Sequence, residues 1–230
     1  MSKINKEQLK EVLTAAQAIA ITVHVRPDGD ALGSMLAMYE ALKGQGKDVI
    51  MVVDDTIPKK FAILPYTDCI LSVDQCQNFT PDLLLVLDAS TAERIGRVGA
   101  LWSAPIFNID HHISNTEFAD GLYLRADFAA TCEIVTDMCQ EWGWPITESM
   151  ANALYMGIAT DCGFFKFSNT QEHTMDMAAL CLKAGAKPQM ISEMIEATSA
   201  LRIEMTKRAM QTIAFSKNNT VASIELDTYA

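Results

Sequence analysis

The chain has 230 residues, half of them apolar, with 20% charged and a net charge of −11. That acidic balance excludes a broad, sequence-independent grip on long duplex nucleic acid, which needs a basic surface. No apolar run reaches the 18 residues of a membrane span, and Met1 to Glu7 show no signal-like apolar stretch, so a cytoplasmic location is expected.

In chain order, Leu9, Val12, Leu13, Ala16 and Ile19 recur at helical spacing, and an amphipathic helix is predicted over 6–17. A buried strand is predicted over 18–25, then a helix from Ala31 to Leu42 closed by Gly44 and Gly46. Strands follow at 49–53, 81–88 and 105–110. Strands separated by helix-sized intervals predict an α/β domain whose mostly parallel central sheet carries helices on both faces. Helices are predicted over 129–142, 147–159, 171–184, 188–196 and 199–213, with Gly143, Pro145, Gly185 and Pro188 between them. A short strand over 220–226 makes the last segment, from Ile213 to Ile224, read as the start of a hairpin. The six cysteines show no C-x-x-C spacing and are expected to be reduced, buried thiols.

Three of the apolar runs stop abruptly in metal-ligand side chains. Ala20 to Val23 ends at His24, Leu83 to Leu87 at Asp88, and Ile106 to Ile109 at Asp110-His111-His112. Carboxylates and imidazoles are costly beside strand cores unless something pairs with them, and divalent cations are natural partners. Asp28 and Asp30 follow His24 on the same loop, with Gly29 between them expected to take a backbone conformation that other residues resist. In open α/β sheets ligands gather at the carboxyl ends of strands, where all seven of these residues fall. Four carboxylates with two or three imidazoles exceed the needs of one Zn²⁺ and suit two ions of the Mn²⁺ or Mg²⁺ type. A lone aspartate at a strand end is more often a turn residue or a cap, which is the expectation for Asp54 and Asp55.

These residues resemble the motifs of the DHH phosphoesterase family. His24-Val25-Arg26-Pro27-Asp28-Gly29-Asp30 through Ser34 is similar to the first motif and Asp88-Ala89-Ser90 to the second. Asn108 to His112 with Asn115 is similar to the third, and Thr160-Asp161-Cys162 through Thr170 to the fourth. The resemblance runs over about residues 5–226 and is nearest to the oligoribonucleases that also dephosphorylate 3′-phosphoadenosine 5′-phosphate (pAp). It implies two divalent ions, Mn²⁺ with Mg²⁺ or Co²⁺ as alternatives. One would be held by His24, Asp28 and Asp88, the other by Asp30, Asp88, His111 and Asp161. It also implies catalytic roles for Asp110, orienting the imidazoles, and for His112, facing the substrate; Lys166 and Asn115 would meet the substrate. Arg94, just after Asp88, is a further candidate for touching phosphate, with a solvated helix-turn position as the alternative. Cys162 stands where the family usually has Thr, and Lys166 where Arg is common.

The expected activity is two-ion hydrolysis of short oligonucleotides, of pAp, or of both. An inorganic pyrophosphatase or polyphosphatase, or a nucleotide-binding module without catalysis, are the alternatives. The expected division is a DHH domain over 1–185, a helical linker over 186–213, and over 214–230 the start of a truncated C-terminal DHH-associated domain. The helix-rich stretch 129–213 offers a surface for a homodimer, or an interdomain linker.

Overall fold

The computed structural model describes residues 2–226; residue 1 and residues 227–230, the end of the expected third segment, lie outside them. Contacts divide the chain into one unit over 1–191 and a second over 192–230.

The first unit is built on a sheet of seven strands: β1 (Ser2–Lys3), β2 (Ala18–Thr22), β3 (Asp48–Val52), β4 (Ile70–Leu71), β5 (Leu83–Leu87), β6 (Ile106–Asp110) and β7 (Gly121–Leu124). Their order is β1-β7-β6-β5-β2-β3-β4, and every pairing is parallel. Strands β2 and β5 lie side by side, Ile21 opposite Leu85, and from them the chain winds outward in both directions. That reversal opens a crevice at the carboxyl ends of these two strands.

The sheet carries helices α1 (Lys6–Ala15), α2 (Gly29–Gly44), α3 (Thr131–Trp142), α4 (Glu148–Asp161) and α5 (Glu172–Lys183). Both faces of the central strands are apolar, as a doubly covered parallel sheet requires. Ala20, Val52, Leu84 and Val86 form one cluster with Ile95 and Val98, from a run of 3₁₀ turns over Ala92–Ala100. The alternate residues Ile19, Ile21, Met51, Leu83 and Leu85 point to the opposite face and are equally buried. Helix α2 is buried on nearly every side, which explains why its sequence shows no polar stripe.

Helix α6 (Pro188–Glu196) passes from the first unit into the second, which also holds α7 (Ala200–Gln211) and an antiparallel hairpin, β8 (Ala214–Ser216) with β9 (Val221–Ser223). No helix of the described residues is long and apolar enough to cross a membrane. All six cysteines are free thiols, and only Cys69 is exposed.

The predicted α/β architecture is observed. Strands β1, β4 and β7 are additions to the reading: two have only two residues and β7 only four, too few to show a period. The predicted strand over 18–25 ends at Thr22, because the backbone then turns to present His24.

Candidate metal centre

The carboxyl ends of β2, β5 and β6 bring His24, Asp88 and Asp110-His111-His112 to the crevice, while the start of α2 adds Asp28 and Asp30 and the end of α4 adds Asp161. His24 Nδ1 lies 2.8 Å from the Val25 carbonyl oxygen and donates to it. Its Nε2 is thereby turned inward, 3.6 Å from Asp28 Oδ2 and 3.4 Å from Asp88 Oδ2. The other oxygen of Asp88 faces elsewhere, 3.5 Å from His111 Nε2 and 3.6 Å from His112 Nδ1. One carboxylate thus looks into two groups of ligand atoms. Asp88 holds a left-handed backbone (φ 55°) at this buried point, a costly conformation that persists where the surroundings over-determine it.

His111 Nε2 is buried and makes no hydrogen bond, yet three carboxylate oxygens surround it: Asp161 at 3.3 Å, Asp88 at 3.5 Å and Asp30 at 3.8 Å. A buried ring nitrogen without a hydrogen bond is expensive. Atoms that share one ion through bonds of about 2.1 Å stand about 3.0–3.4 Å apart, so the spacing suits ligands around a cation. His24, Asp28 and Asp88 form one such group, Asp30, His111 and Asp161 a second, and Asp88, His111 and His112 a third. The residues fit divalent ions.

The charges point the same way. Burial opposes a charge on His24, but Asp28 and Asp88 outweigh it and push the imidazole up to about 10. Burial also opposes a charge on His111, and Asp161 and Asp88 outweigh it, taking it to about 11. Burial, with Asp88 and Asp161 nearby, pushes Asp30 far above the ordinary carboxylate range. Asp88 moves the opposite way, because His111 and His24 overcome its burial. Protons therefore hold this cluster together until cations replace them.

Each ligand has its own support. Asp28 is the N-cap of α2, its Oδ1 accepting from the amides of Asp30 and Ala31, both at 3.1 Å. Asp30 accepts from the amides of Thr131 (2.6 Å) and Cys132 (2.7 Å), so it caps α3, whose own N-cap residue, Ala130, has no capping side chain. Gly157 of α4 permits this approach: a Cβ there would lie 2.2 Å from Cys132 Sγ and 2.8 Å from Asp30 Oδ1. Gly29 has an ordinary helical role instead of the unusual backbone expected for it. Its need is space, since a Cβ would meet Thr160 Oγ1 at 2.5 Å; the left-handed residue of that loop is Arg26 (φ 56°).

Asp110 is fully buried and accepts from the amides of His111 (2.9 Å) and His112 (3.3 Å) and from His112 Nδ1 (2.7 Å). That last bond sets the tautomer of His112 and leaves Nε2 free on a half-buried ring. Asn115 was expected at the substrate. Its amide donates instead to Asp110 Oδ2 (2.6 Å) and its Oδ1 accepts from Glu117, so it supports Asp110 from behind. Arg94 is half-buried and Lys166 exposed, and neither side chain has an ion pair among the described residues. Arg94 adjoins the first motif through its carbonyl oxygen, which accepts from the Val25 amide at 2.7 Å. Cys162 is buried, which pushes its thiol up and makes it a packing residue rather than a nucleophile.

For Asp54 and Asp55 the expectation is a turn residue or a cap. Asp54 holds Arg97 through its backbone amide and guanidinium (2.7 and 2.8 Å), and Asp55 accepts from the Arg26 amide at 2.8 Å. The exit of β3 thereby braces the loop that carries His24 and Asp28 and the run of 3₁₀ turns that follows Asp88. His173, outside the centre, binds the buried Glu133 at 2.7 Å and stacks on Phe128 at 4.3 Å.

A family model described as DHH family, N-terminal domain, matches residues 18–158. The chain belongs to the DHH family. Curated relatives include a bifunctional oligoribonuclease and PAP phosphatase NrnA of Thermus thermophilus, 33% identical over 89% of this chain and 62% of the relative. The protein of the same name from Bacillus subtilis is 26% identical over 93% of this chain and 68% of its own length. The chain thus spans about two thirds of these relatives. Among solved structures, an exopolyphosphatase-related protein from Bacteroides fragilis superposes with a TM-score of 0.90 at 24% identity, covering 97% of this chain and 69% of that one. A putative family II inorganic pyrophosphatase from Methanococcus jannaschii gives 0.63 at 14% identity, covering 85% and 65%. Both likenesses concern the fold of the DHH family.

Proposed function

We propose that the protein is a phosphoesterase that hydrolyses short oligonucleotides, pAp, or both, with two divalent ions of the Mn²⁺ type. The observation that carries the reading is the buried His111 Nε2, with no hydrogen bond and three carboxylates aimed at it. The substrate class is supported by the names of the relatives, oligoribonuclease and PAP phosphatase.

In this reading His24, Asp28 and Asp88 hold one ion, and Asp30, Asp88, His111 and Asp161 the other. When bound, the ions lower the pKa of the attacking water and neutralise charge developing on the phosphoryl oxygens. The chain's own residues do the rest. Asp110 keeps one proton of His112 on Nδ1; in its cationic form, with a proton on each ring nitrogen, His112 gives the Nε2 proton to the departing oxygen and is left as the neutral Nδ1–H tautomer. Asn115 and the amides of His111 and His112 keep Asp110 in place. Arg94 and Lys166, both without an ion pair among the described residues, supply positive charge for phosphate. Lys166 meets phosphate as a point charge and lacks the planar fork of Arg. A cytoplasmic place of work goes with six unbridged cysteines.

The test is a Mn²⁺-dependent assay of the purified chain on pAp, dinucleotides and pyrophosphate, with Asp88→Ala as control. Turnover of pAp or dinucleotides that vanishes in the variant is expected. Turnover of pyrophosphate alone would replace the substrate assignment, and a fully active Asp88→Ala would remove the two-ion centre.

A further inference from the structure

The chain leaves Asp161 through a turn of unusual conformation. Gly163, Phe164 and Phe165 are all left-handed, with φ of 59°, 55° and 64°. Two consecutive aromatic residues in that region are sterically costly, and such conformations gather at functional sites. The turn is tied down on the inside. The amides of Lys166 and Phe167 both donate to the Cys162 carbonyl at 3.1 Å, and that of Phe165 to Cys162 Sγ at 3.3 Å. Phe165 packs near Tyr155 of α4, ring centroids 6.1 Å apart. Asn169 closes the turn on its starting point, its amide donating to the Asp161 carbonyl at 3.2 Å.

The outer side of the turn carries Phe167. Its ring rests against Gly163, where a Cβ would stand 2.6 Å from two ring carbons, and the residue is still 60% exposed. A large aromatic ring, supported on one side by bare backbone and open on the other, is thus held five residues from Cys162 and joined to it by a hydrogen bond, next in the chain to a ligand of the metal centre. Lys166, beside it, is exposed and without an ion pair among the described residues. Stacking is sequence-tolerant because every nucleobase presents a π-face.

We propose that Phe167 is a stacking platform for the nucleobase of the substrate, selecting nucleotides over base-free phosphates such as pyrophosphate. The inference rests on the phosphoesterase reading and adds to it the residue that recognises the base. Hydrolysis of a phosphoester involves only the phosphate end of the molecule, so the preference for a nucleotide must come from a surface of this kind. Gly163 is small so that the ring can lie down, and the turn ties the backbone of Phe167 to Cys162, the residue after Asp161.

The test measures binding of a product, so that turnover is not required. Calorimetry on the Mn²⁺-saturated chain compares adenosine 5′-monophosphate with ribose 5-phosphate, for the unaltered protein, Phe167→Ala and Phe167→Trp. Phe167→Ala is expected to weaken adenosine 5′-monophosphate by about tenfold, within the range known for base stacking, and to leave ribose 5-phosphate unmoved. Phe167→Trp is expected to retain or tighten nucleotide binding. The inference is overturned if the unaltered protein binds both ligands equally, or if Phe167→Ala keeps the full preference for the nucleotide. A chain that prefers the nucleotide but hydrolyses neither pAp nor dinucleotides would sink the enzymatic reading and leave the platform standing.

Discussion

Asp30 and Asp161 face the same buried nitrogen of His111 from neighbouring elements, the start of α2 and the end of α4, at 3.8 and 3.3 Å, and they are held in different ways. Asp30 has no exposed surface, and both its oxygens accept backbone amides from the first turn of α3. The Asp161 side chain keeps 26% exposure and accepts no hydrogen bond among those of the described residues. The wall at the start of α2 belongs to the fold as much as to the centre. The wall at the end of α4 belongs to the centre alone. Charge that serves both purposes cannot be removed without loosening the scaffold, whereas charge on the open wall can.

The sharpest way to break this comparison is at the residue both ion groups share. Asp88→Ala should remove a ligand from each, and turnover in the presence of Mn²⁺ should fall by at least about 10³-fold, measured under saturating substrate. Next comes the contrast itself, read by thermal or denaturant unfolding of metal-free protein. Asp30→Ala should cost about 2 kcal/mol or more, through loss of a helix cap and two buried amides left unpaired. Asp161→Ala should cost clearly less than Asp30→Ala, because it weakens the charge on His111 but leaves no backbone amide unpaired. Equal losses in both variants would show that the two walls are not different in kind.

A smaller effect is expected one layer out. Asn115→Ala leaves the ligands intact but frees Asp110, and kcat or Mn²⁺ affinity should fall by about 10–100-fold, as for other supports of metal-binding residues. The gentlest probe is pH. His24 and His111 have folded pKa values raised to about 10 and 11, so the stability they contribute as cations is fully present below about 6.5, their unfolded value, and is lost as pH climbs through 10. The melting temperature of metal-free protein should decline between pH 7 and 10. Saturating Mn²⁺ requires these rings neutral, so it should abolish the decline and bind more tightly as pH rises. A flat metal-free profile would count against protons standing in for cations.

Much of this centre is legible in the sequence because its parts are local. An apolar run that stops in His24, Asp88 or Asp110 marks a strand end by itself, and three of them in parallel strands must converge. The unreadable parts are long-range. Nothing near Asp30 reveals that it caps a helix 101 residues later, and Ala130 gives no sign that it borrows a cap. The spacing of Asn115 from Asp110 shows proximity but not which way its amide turns, so its bond to Asp110 is not readable in the sequence. The braces from Asp54 and Asp55 were read as turn chemistry, since their partners Arg97 and Arg26 come from loops that only the fold brings together. Strand β7 escaped because four residues alternate too briefly to show a period.

The amides of Thr131 and Cys132 that point at Asp30 have a use of their own. Backbone protons exchange with deuterium only when their hydrogen bonds open, and these two bonds end on a carboxylate that faces the cavity. Exchange at the first turn of α3 is therefore a clock for the state of the crevice. It should slow when cations dock against Asp30 and quicken when they leave, recording occupancy at amides that take no part in the chemistry.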